Sequence, residues 1–191
     1  YLLKPDNVDL YAISGTNGKT TTVSLLQAIL AADGRMALAG GNIGIPLTNL
    51  VDSMTAGVIV VEASSFQLET TCHFKPHISA LLNITPDHLD RHKSMEGYIK
   101  AKSRIFSNQK RDDYAVLNYE DQHIRTMAKD CPARVVYFSS QRVLDEGAFI
   151  KDGLIYFVLD NKVMPICSIQ EVFLRGHHNL ENILCAVAVA A

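Results

Sequence analysis

Asp9-Leu10-Tyr11-Ala12-Ile13-Ser14-Gly15-Thr16-Asn17-Gly18-Lys19-Thr20-Thr21 is the stretch on which the fold turns. Asp9 to Ser14 is a short apolar run that fits a buried strand. A glycine-containing loop follows. From Thr21 to Ala32, Val23, Leu26, Ile29 and Leu30 recur at helical spacing, and Gly34 supplies a stop. Strand, Gly15-x-x-Gly18-Lys19-Thr20, helix is the context that a phosphate-binding loop needs. Glycines let backbone N–H groups approach phosphate oxygens without a Cβ in the way. The helix N-terminus adds about half a positive charge. Lys19 can reach the terminal phosphates, and the Thr20 hydroxyl can ligate Mg²⁺. The commoner motif is two residues longer, and Ile13 stands where that form has its first glycine. The expected ligand is ATP, held by Gly15, Thr16, Asn17, Gly18, Lys19, Thr20 and Thr21.

Outward from this loop, strands and helices alternate. Arg35 to Ala39, Gly57 to Val61, Ile78 to Ile84, Tyr114 to Leu117 and Arg134 to Phe138 are strand-like. Ser94 to Phe106 and Asp121 to Lys129 are helical, and Pro46 is well placed at a helix start. Such alternation predicts an α/β fold with a doubly wound, mostly parallel sheet. The strands' near-continuous apolar character agrees, because both faces of such a sheet are covered. After Ser139 the pattern changes. Phe149 to Pro165 predicts a small antiparallel β extension, packed beside the main sheet. Its turns are Asp152-Gly153 and, more weakly, Asp160-Asn161. A last helix begins near His178.

The chain has 191 residues, 48% of them hydrophobic, and a formal net charge of -2. Nothing there marks a nucleic-acid or membrane binder. No apolar run reaches the roughly 20 residues needed to span a bilayer. The four cysteines, Cys72, Cys131, Cys167 and Cys185, form no C-x-x-C pair, which points away from a zinc site or disulfide framework and towards a cytoplasmic setting. Asn83-Ile84-Thr85 matches a glycosylation triplet that has no other support. A chain running from Tyr1 to Ala191, with an apolar helix-like run at its end, is expected to be a piece of a longer protein.

Two further positions carry chemistry by their place. Glu62 ends the run Val58-Ile59-Val60-Val61, at the strand edge where open α/β sheets hold ligands. A metal-coordinating carboxylate suits that place, although a carboxylate capping the next helix is the plainer alternative. His88 follows another strand, where Asp87 and Asp90 could orient its ring. His73, His77, His92, His123 and His177 are expected to be structural or on the surface. Lys102, on a helix, is by base rate a solvated group.

Taken together, four elements resemble the Mur ligase family of ATP-dependent amide-forming enzymes. They are Gly15-Thr16-Asn17-Gly18-Lys19-Thr20-Thr21, Asn83-Ile84-Thr85-Pro86-Asp87-His88-Leu89-Asp90, Tyr98-x-x-Ala101-Lys102-x-x-Ile105 and Gly176-x-His178-Asn179-x-x-Asn182. They stand in the family's order and span nearly the whole chain. Gly41-Asn42-Ile43-Gly44-Ile45-Pro46 and Glu62-Ala63-Ser64-Ser65-Phe66-Gln67-Leu68-Glu69 look like the family's D-glutamate-adding branch, with Ala63 where that branch usually has Leu.

The resemblance implies that residues 1–191 are a central ATP-binding domain. The uridine-binding domain before it and the amino-acid-binding domain after it are absent from this chain. It implies ATP, UDP-N-acetylmuramoyl-L-alanine and D-glutamate as substrates, no nucleic-acid or membrane partner, and a monomer. It implies Mg²⁺ at Thr20, Glu62, His88 and Lys102, the lysine carrying a CO₂-derived carbamate. Lys19, Lys102 and His88 are the implied catalytic groups. Asn42, Ser64 and Gln67 are implied to contact the acceptor, and Asn179 and Asn182 the adenine or ribose. Asn179 could equally be a helix N-cap. A folylpolyglutamate synthase-like ligase, or a nucleotide-binding module without ligation, remains an alternative.

Overall fold

The computed structural model of the protein describes residues 4–191. The chain runs β1 (Val8–Ser14), α1 (Lys19–Ala32), β2 (Ala37–Gly41), α2 (Leu47–Ser53), β3 (Gly57–Glu62), α3 (Ser65–Thr70), β4 (Ile78–Leu81), α4 (Leu89–His92) and α5 (Met95–Ser103). It continues through β5 (Tyr114–Asn118), α6 (Gln122–Ala128), β6 (Arg134–Ser139), β7 (Gly147–Lys151), β8 (Leu154–Leu159), β9 (Lys162–Ser168), a 3-10 turn and α7 (His177–Ala190). The strands form one sheet in the order β2-β3-β1-β4-β5-β6-β7-β8-β9.

Alternate residues of each strand enter different cores, as the two-residue period of a strand requires. Tyr11 and Ile13 of β1 pack with Leu26 and Leu30 of α1 and with Ile183 to Val189 of α7. Leu10 and Ala12 pack on the other face, with Leu50, Leu68, Tyr98, Ile105 and Ile124. Helices therefore cover both faces, which makes the sheet doubly wound. α7 is buried on all sides from Asn182 to Val189, and its sequence is correspondingly apolar all round.

Pairing is parallel from β2 to β7 and antiparallel through β7, β8 and β9. The antiparallel strands are not a layer beside the main sheet. Phe138 and Ser139 of β6 pair with Ala148 and Phe149 of β7, so the sheet simply continues. Both turns of this meander have positive φ at their two central residues: Asp152 (49°) and Gly153 (76°), then Asp160 (50°) and Asn161 (62°). That is the geometry that matches strand twist in a two-residue hairpin. β2 begins two residues later than its composition indicated, and β4 ends at Leu81 rather than Ile84. Leu82 and Ile84 are buried in loop conformation, so their apolarity imitates strand.

Asp121 ties this frame together below the site. One carboxylate oxygen caps α6 by accepting from Ile124 N at 3.1 Å, and the other accepts from Ile84 N at 2.6 Å. Asp121→Ala removes the cap and strands the Ile84 amide, so it is expected to cost about 2–3 kcal/mol. The midpoint of urea unfolding checks this, and an unchanged midpoint rules it out. Among the described residues, no helix is long and apolar enough to cross a membrane.

Candidate functional site

The loop between β1 and α1 is held by bonds from within the chain. Gly18 caps α1 at φ 85°, and a Cβ there would lie 2.2 Å from Asn182 Oδ1, so only glycine fits. Thr16 N donates to Asn83 O at 2.9 Å, and Asn17 N donates to Asn83 Oδ1 at 2.8 Å. Asn83 Nδ2 returns a bond to Asn17 O at 3.2 Å. The triplet beginning at Asn83 therefore braces the loop. Lys19 Nζ donates to Gly15 O (2.9 Å) and Thr16 O (2.8 Å). Burial lowers its pKa, and the charges of Glu62 and Asp87 oppose that shift.

Glu62 ends β3 with only 2% of its surface exposed. Its Oε2 accepts from Thr20 Oγ1 at 2.8 Å, and its Oε1 accepts from Asn42 Nδ2 at 2.9 Å. It does not cap the next helix. Ser64 does that, accepting from Gln67 N while Gln67 Oε1 accepts from Ser64 N at 3.0 Å. A buried carboxylate and a hydroxyl in contact beneath a phosphate loop are hard oxygen donors. They fit Mg²⁺, which keeps waters and takes few protein ligands beside phosphates. Among the described residues no cluster of three His, Cys, Asp or Glu stands ready for a metal. A complete cage is therefore not prebuilt.

Lys102 is the anomaly in the molecule. It sits in the last turn of α5 and is 1% exposed. Its Nζ donates to Gly15 O (2.8 Å) and Ser14 Oγ (3.3 Å) and lies 4.8 Å from the Tyr98 ring centre. Among the described residues no carboxylate pairs with it. Burial, then repulsion from Lys19, lowers its pKa from 10.5 to about 7, against the pull of Asp87. Because this value lies below the ordinary one, the folded state binds fewer protons than the unfolded chain between about pH 7 and the ordinary lysine range. Stability from this group therefore rises with pH across that window. Wild type should accordingly gain on Lys102→Met between about pH 6.5 and about pH 9.5 in urea unfolding. Parallel pH profiles for the two would contradict the burial argument.

His88 takes a left-handed backbone (φ 51°) as the residue before α4. Its side chain is half exposed, with Nε2 3.5 Å from Asp87 Oδ2. Asp87 is thus the acid that meets it, while Asp90 lies in the first turn of α4. Lys19, Asn42, Ser64, His88 and Lys102 line one cleft. Gln67 faces a neighbouring hollow lined by Val61 and Phe74. Thr21 lies in the first turn of α1. Asn179 is not the N-cap of α7, because Gly176 occupies that position. Its Nδ2 donates to Arg175 O at 2.8 Å, and its Oδ1 accepts from Asn182 Nδ2 at 3.2 Å. Ser14, Asn83 and Tyr98 also shape the site, and residue-by-residue reading gave them no role. Tyr98 Oη lies 3.1 Å from Thr16 Oγ1, which ties α5 to the loop. Among the described residues all four cysteines are free, and burial pushes the Cys185 thiol far up.

Relatives of known type share this arrangement of sequence. UDP-N-acetylmuramoylalanine--D-glutamate ligase of Thermoanaerobacter pseudethanolicus is 50% identical over 95% of this chain and 40% of its own length. The enzyme of that name from Acidobacterium capsulatum is 49% identical over 94% of the chain and 40% of its own length. The chain thus spans about 40% of the length of the curated relatives it matches. A solved UDP-N-acetylmuramoyl-L-alanyl-D-glutamate--2,6-diaminopimelate ligase superposes with a TM-score of 0.76 at 26% identity, covering 98% of this chain and 43% of that one. The MurF ligase of Thermotoga maritima in complex with ADP shares the fold, with a TM-score of 0.70 at 20% identity over 96% of this chain and 45% of that one. The model of the Mur ligase middle domain matches residues 13–190, so the chain belongs to the Mur ligase family.

Proposed function

We propose that this chain is the ATP-binding middle domain of a longer ligase that joins D-glutamate to UDP-N-acetylmuramoyl-L-alanine, giving ADP and phosphate. One observation carries this reading: Lys19, Asn42, Ser64, His88 and Lys102 converge on a single cleft. The half-identical relatives of that name support the choice of amino acid. A cytoplasmic, monomeric enzyme is the simplest setting for such substrates.

A carboxylate is a poor electrophile, so it must first be activated. An oxygen of the acceptor carboxylate attacks the γ-phosphorus of ATP, and the bond to the ADP oxygen breaks. The amine of D-glutamate then attacks the acyl carbon, phosphate leaves, and the amine gives up a proton. Phosphoryl transfer of this kind needs positioning and charge neutralisation more than covalent help from the protein. The loop amides and α1 would hold the phosphates. Lys19 would exchange its two carbonyl partners for phosphate oxygens. Asn42 and Ser64 with Gln67 would orient the acceptor, and Asn179 and Asn182 would meet the adenine or ribose. Mg²⁺, held by Thr20 and Glu62 and, elsewhere in the cleft, by His88 and Lys102, would supply neutralisation of the phosphate charge.

An ammonium cannot ligate a cation, and here the lowered pKa of Lys102 matters. With its pKa lowered to about 7, Lys102 offers an unprotonated amine at neutral pH far more often than an ordinary lysine does. Such an amine adds CO₂ through its nitrogen lone pair and loses one proton. The resulting carbamate is anionic and offers oxygen ligands.

Phosphate release by the full-length ligase tests the proposal, given ATP, Mg²⁺, UDP-N-acetylmuramoyl-L-alanine and one amino acid at a time. Release with D-glutamate alone is expected. Release with another amino acid would keep the chemistry and discard the specificity. No release with any amino acid would remove the ligase reading.

A further inference from the structure

His92 has no task in the mechanism above, yet its side chain is 1% exposed. Its Nε2 and Ser65 Oγ share a hydrogen bond at 3.0 Å, and its Nδ1 lies 3.9 Å from Glu69 Oε2. Its ring stacks on Phe66, with centroids 5.3 Å apart and 13° between planes. It also tilts against Tyr98, at 5.3 Å and 45°.

These neighbours belong to both sides of the cleft. Ser65 and Phe66 open α3, directly after Ser64. The Phe66 ring in turn meets His88, with centroids 4.9 Å apart, and the guanidinium of Arg91 at 4.1 Å. Tyr98 bonds Thr16 of the phosphate loop and lies under the Lys102 amine. One imidazole therefore joins the acceptor side, Ser64 and Ser65, to the side that carries His88 and Lys102. A side chain serving only to fill this space needs no polar atoms, and burying an imidazole costs free energy unless it is bonded. Ser65 supplies that bond, and being buried itself it takes its own partner from His92.

We infer that His92 is a positioning residue: through Ser65, Phe66 and Tyr98 it sets the start of α3 against His88 and Lys102. His92 itself does not line the cleft, whereas Ser65, Phe66 and Tyr98 do. This inference rests on the ligase reading, in which the acceptor carboxylate and the γ-phosphate must meet between those two sides. Small misplacements of reacting groups are costly in rate, so a positioning defect shows in kcat more than in ATP affinity.

The test uses the full-length ligase with His92→Phe, Ser65→Ala, the double variant and His92→Gln. His92→Phe keeps a stacking ring and removes the bond to Ser65. Each of the first two is expected to lower kcat about tenfold with KM for ATP within about twofold. The double variant should be no slower than the slower single, because both remove one interaction. His92→Gln, which places an amide near the position of Nε2, should recover most of the rate. Unchanged kcat in Ser65→Ala, or losses that multiply in the double variant, would overturn the inference. Because Ser65 also lines the cleft, should His92→Phe fail to fold, Ser65→Ala is read together with His92→Gln, whose rate must then stay near wild type.

A second readout does not depend on turnover. In a ligase labelled with ¹³C-histidine, Ser65→Ala should move the His88 signal as well as that of His92. A change confined to His92 would overturn the inference even if the wild-type ligase proved inactive with every amino acid. Failure of the ligase reading would appear instead as wild-type inactivity with the His88 shift still present.

Discussion

Lys102→Arg in the full-length ligase should slow phosphate release by at least about a thousandfold, under saturating ATP, Mg²⁺, acceptor and bicarbonate. The reason is the environment of the amine. Lys102 is fully enclosed, faces Lys19 as a like charge, and has carbonyl and hydroxyl oxygens as its partners rather than a carboxylate. Lysine can answer this by losing its proton. Arginine cannot, because a guanidinium stays charged at any relevant pH. It can neither take up CO₂ nor supply an anionic ligand. The wild-type enzyme should also lose activity as pH falls below about 7, most clearly at low bicarbonate, since the protonated amine is unreactive. Intact mass in bicarbonate would show the adduct directly. A Lys102→Arg enzyme close to the wild-type rate would exclude the carbamate as a participant.

Glu62→Gln should reduce kcat/KM by at least about a hundredfold and raise the Mg²⁺ needed for half-maximal rate about tenfold. The change is isosteric, so the packing around β3 stays. The charge goes, and so does one acceptor. Glu62 now accepts from both Thr20 and Asn42. An amide can accept on one side only, so Asn42 would keep its acceptor while the Thr20 hydroxyl would have to turn and accept from the new NH₂. Titrating phosphate release with Mg²⁺ measures both effects. A Glu62→Gln enzyme with unaltered Mg²⁺ dependence would show that Glu62 only braces Asn42.

The phosphate loop was legible because its signal is local. Strand, glycines, lysine and helix follow one another in sequence, and the structure keeps them in that order around Gly15 to Thr20. Glu62 was legible for a similar reason: an apolar strand ends in a charge. Lys102 was not legible from its own segment. A lysine in Tyr98-Ile99-Lys100-Ala101-Lys102 resembles a solvated helix residue, and only the approach of β1 and its loop encloses it. The family resemblance singled it out, while residue chemistry alone passed over it. His92 escaped for the same cause. Its segment, Asp90-Arg91-His92-Lys93, is as polar as a surface loop, and Phe66 and Tyr98, distant in sequence, bury it. Of the short helices, α3 was foreseen only as a helix following Glu62, without bounds, and α4 was missed, because six and four residues cannot display a helical period. The antiparallel strands were recognised as strands. Their continuity with the parallel sheet depends on two residue pairs between β6 and β7, which no local pattern encodes.

The bracing of the loop by Asn83 and Tyr98 has a kinetic meaning. A loop that must order itself around its ligand spends part of each encounter in failed attempts, and its association rate carries the probability of finding the right shape. Here residues 15–18 are held by bonds to Asn83 from the backbone and to Thr85 and Tyr98 through the Thr16 hydroxyl. An incoming Mg²⁺-triphosphate then asks only for side-chain motions, the swing of Lys19 off its two carbonyl partners and the parting of Thr20 from Glu62. Capture should therefore proceed in a single phase, linear in nucleotide concentration. Differences in affinity among nucleotides would then lie in how long each remains bound.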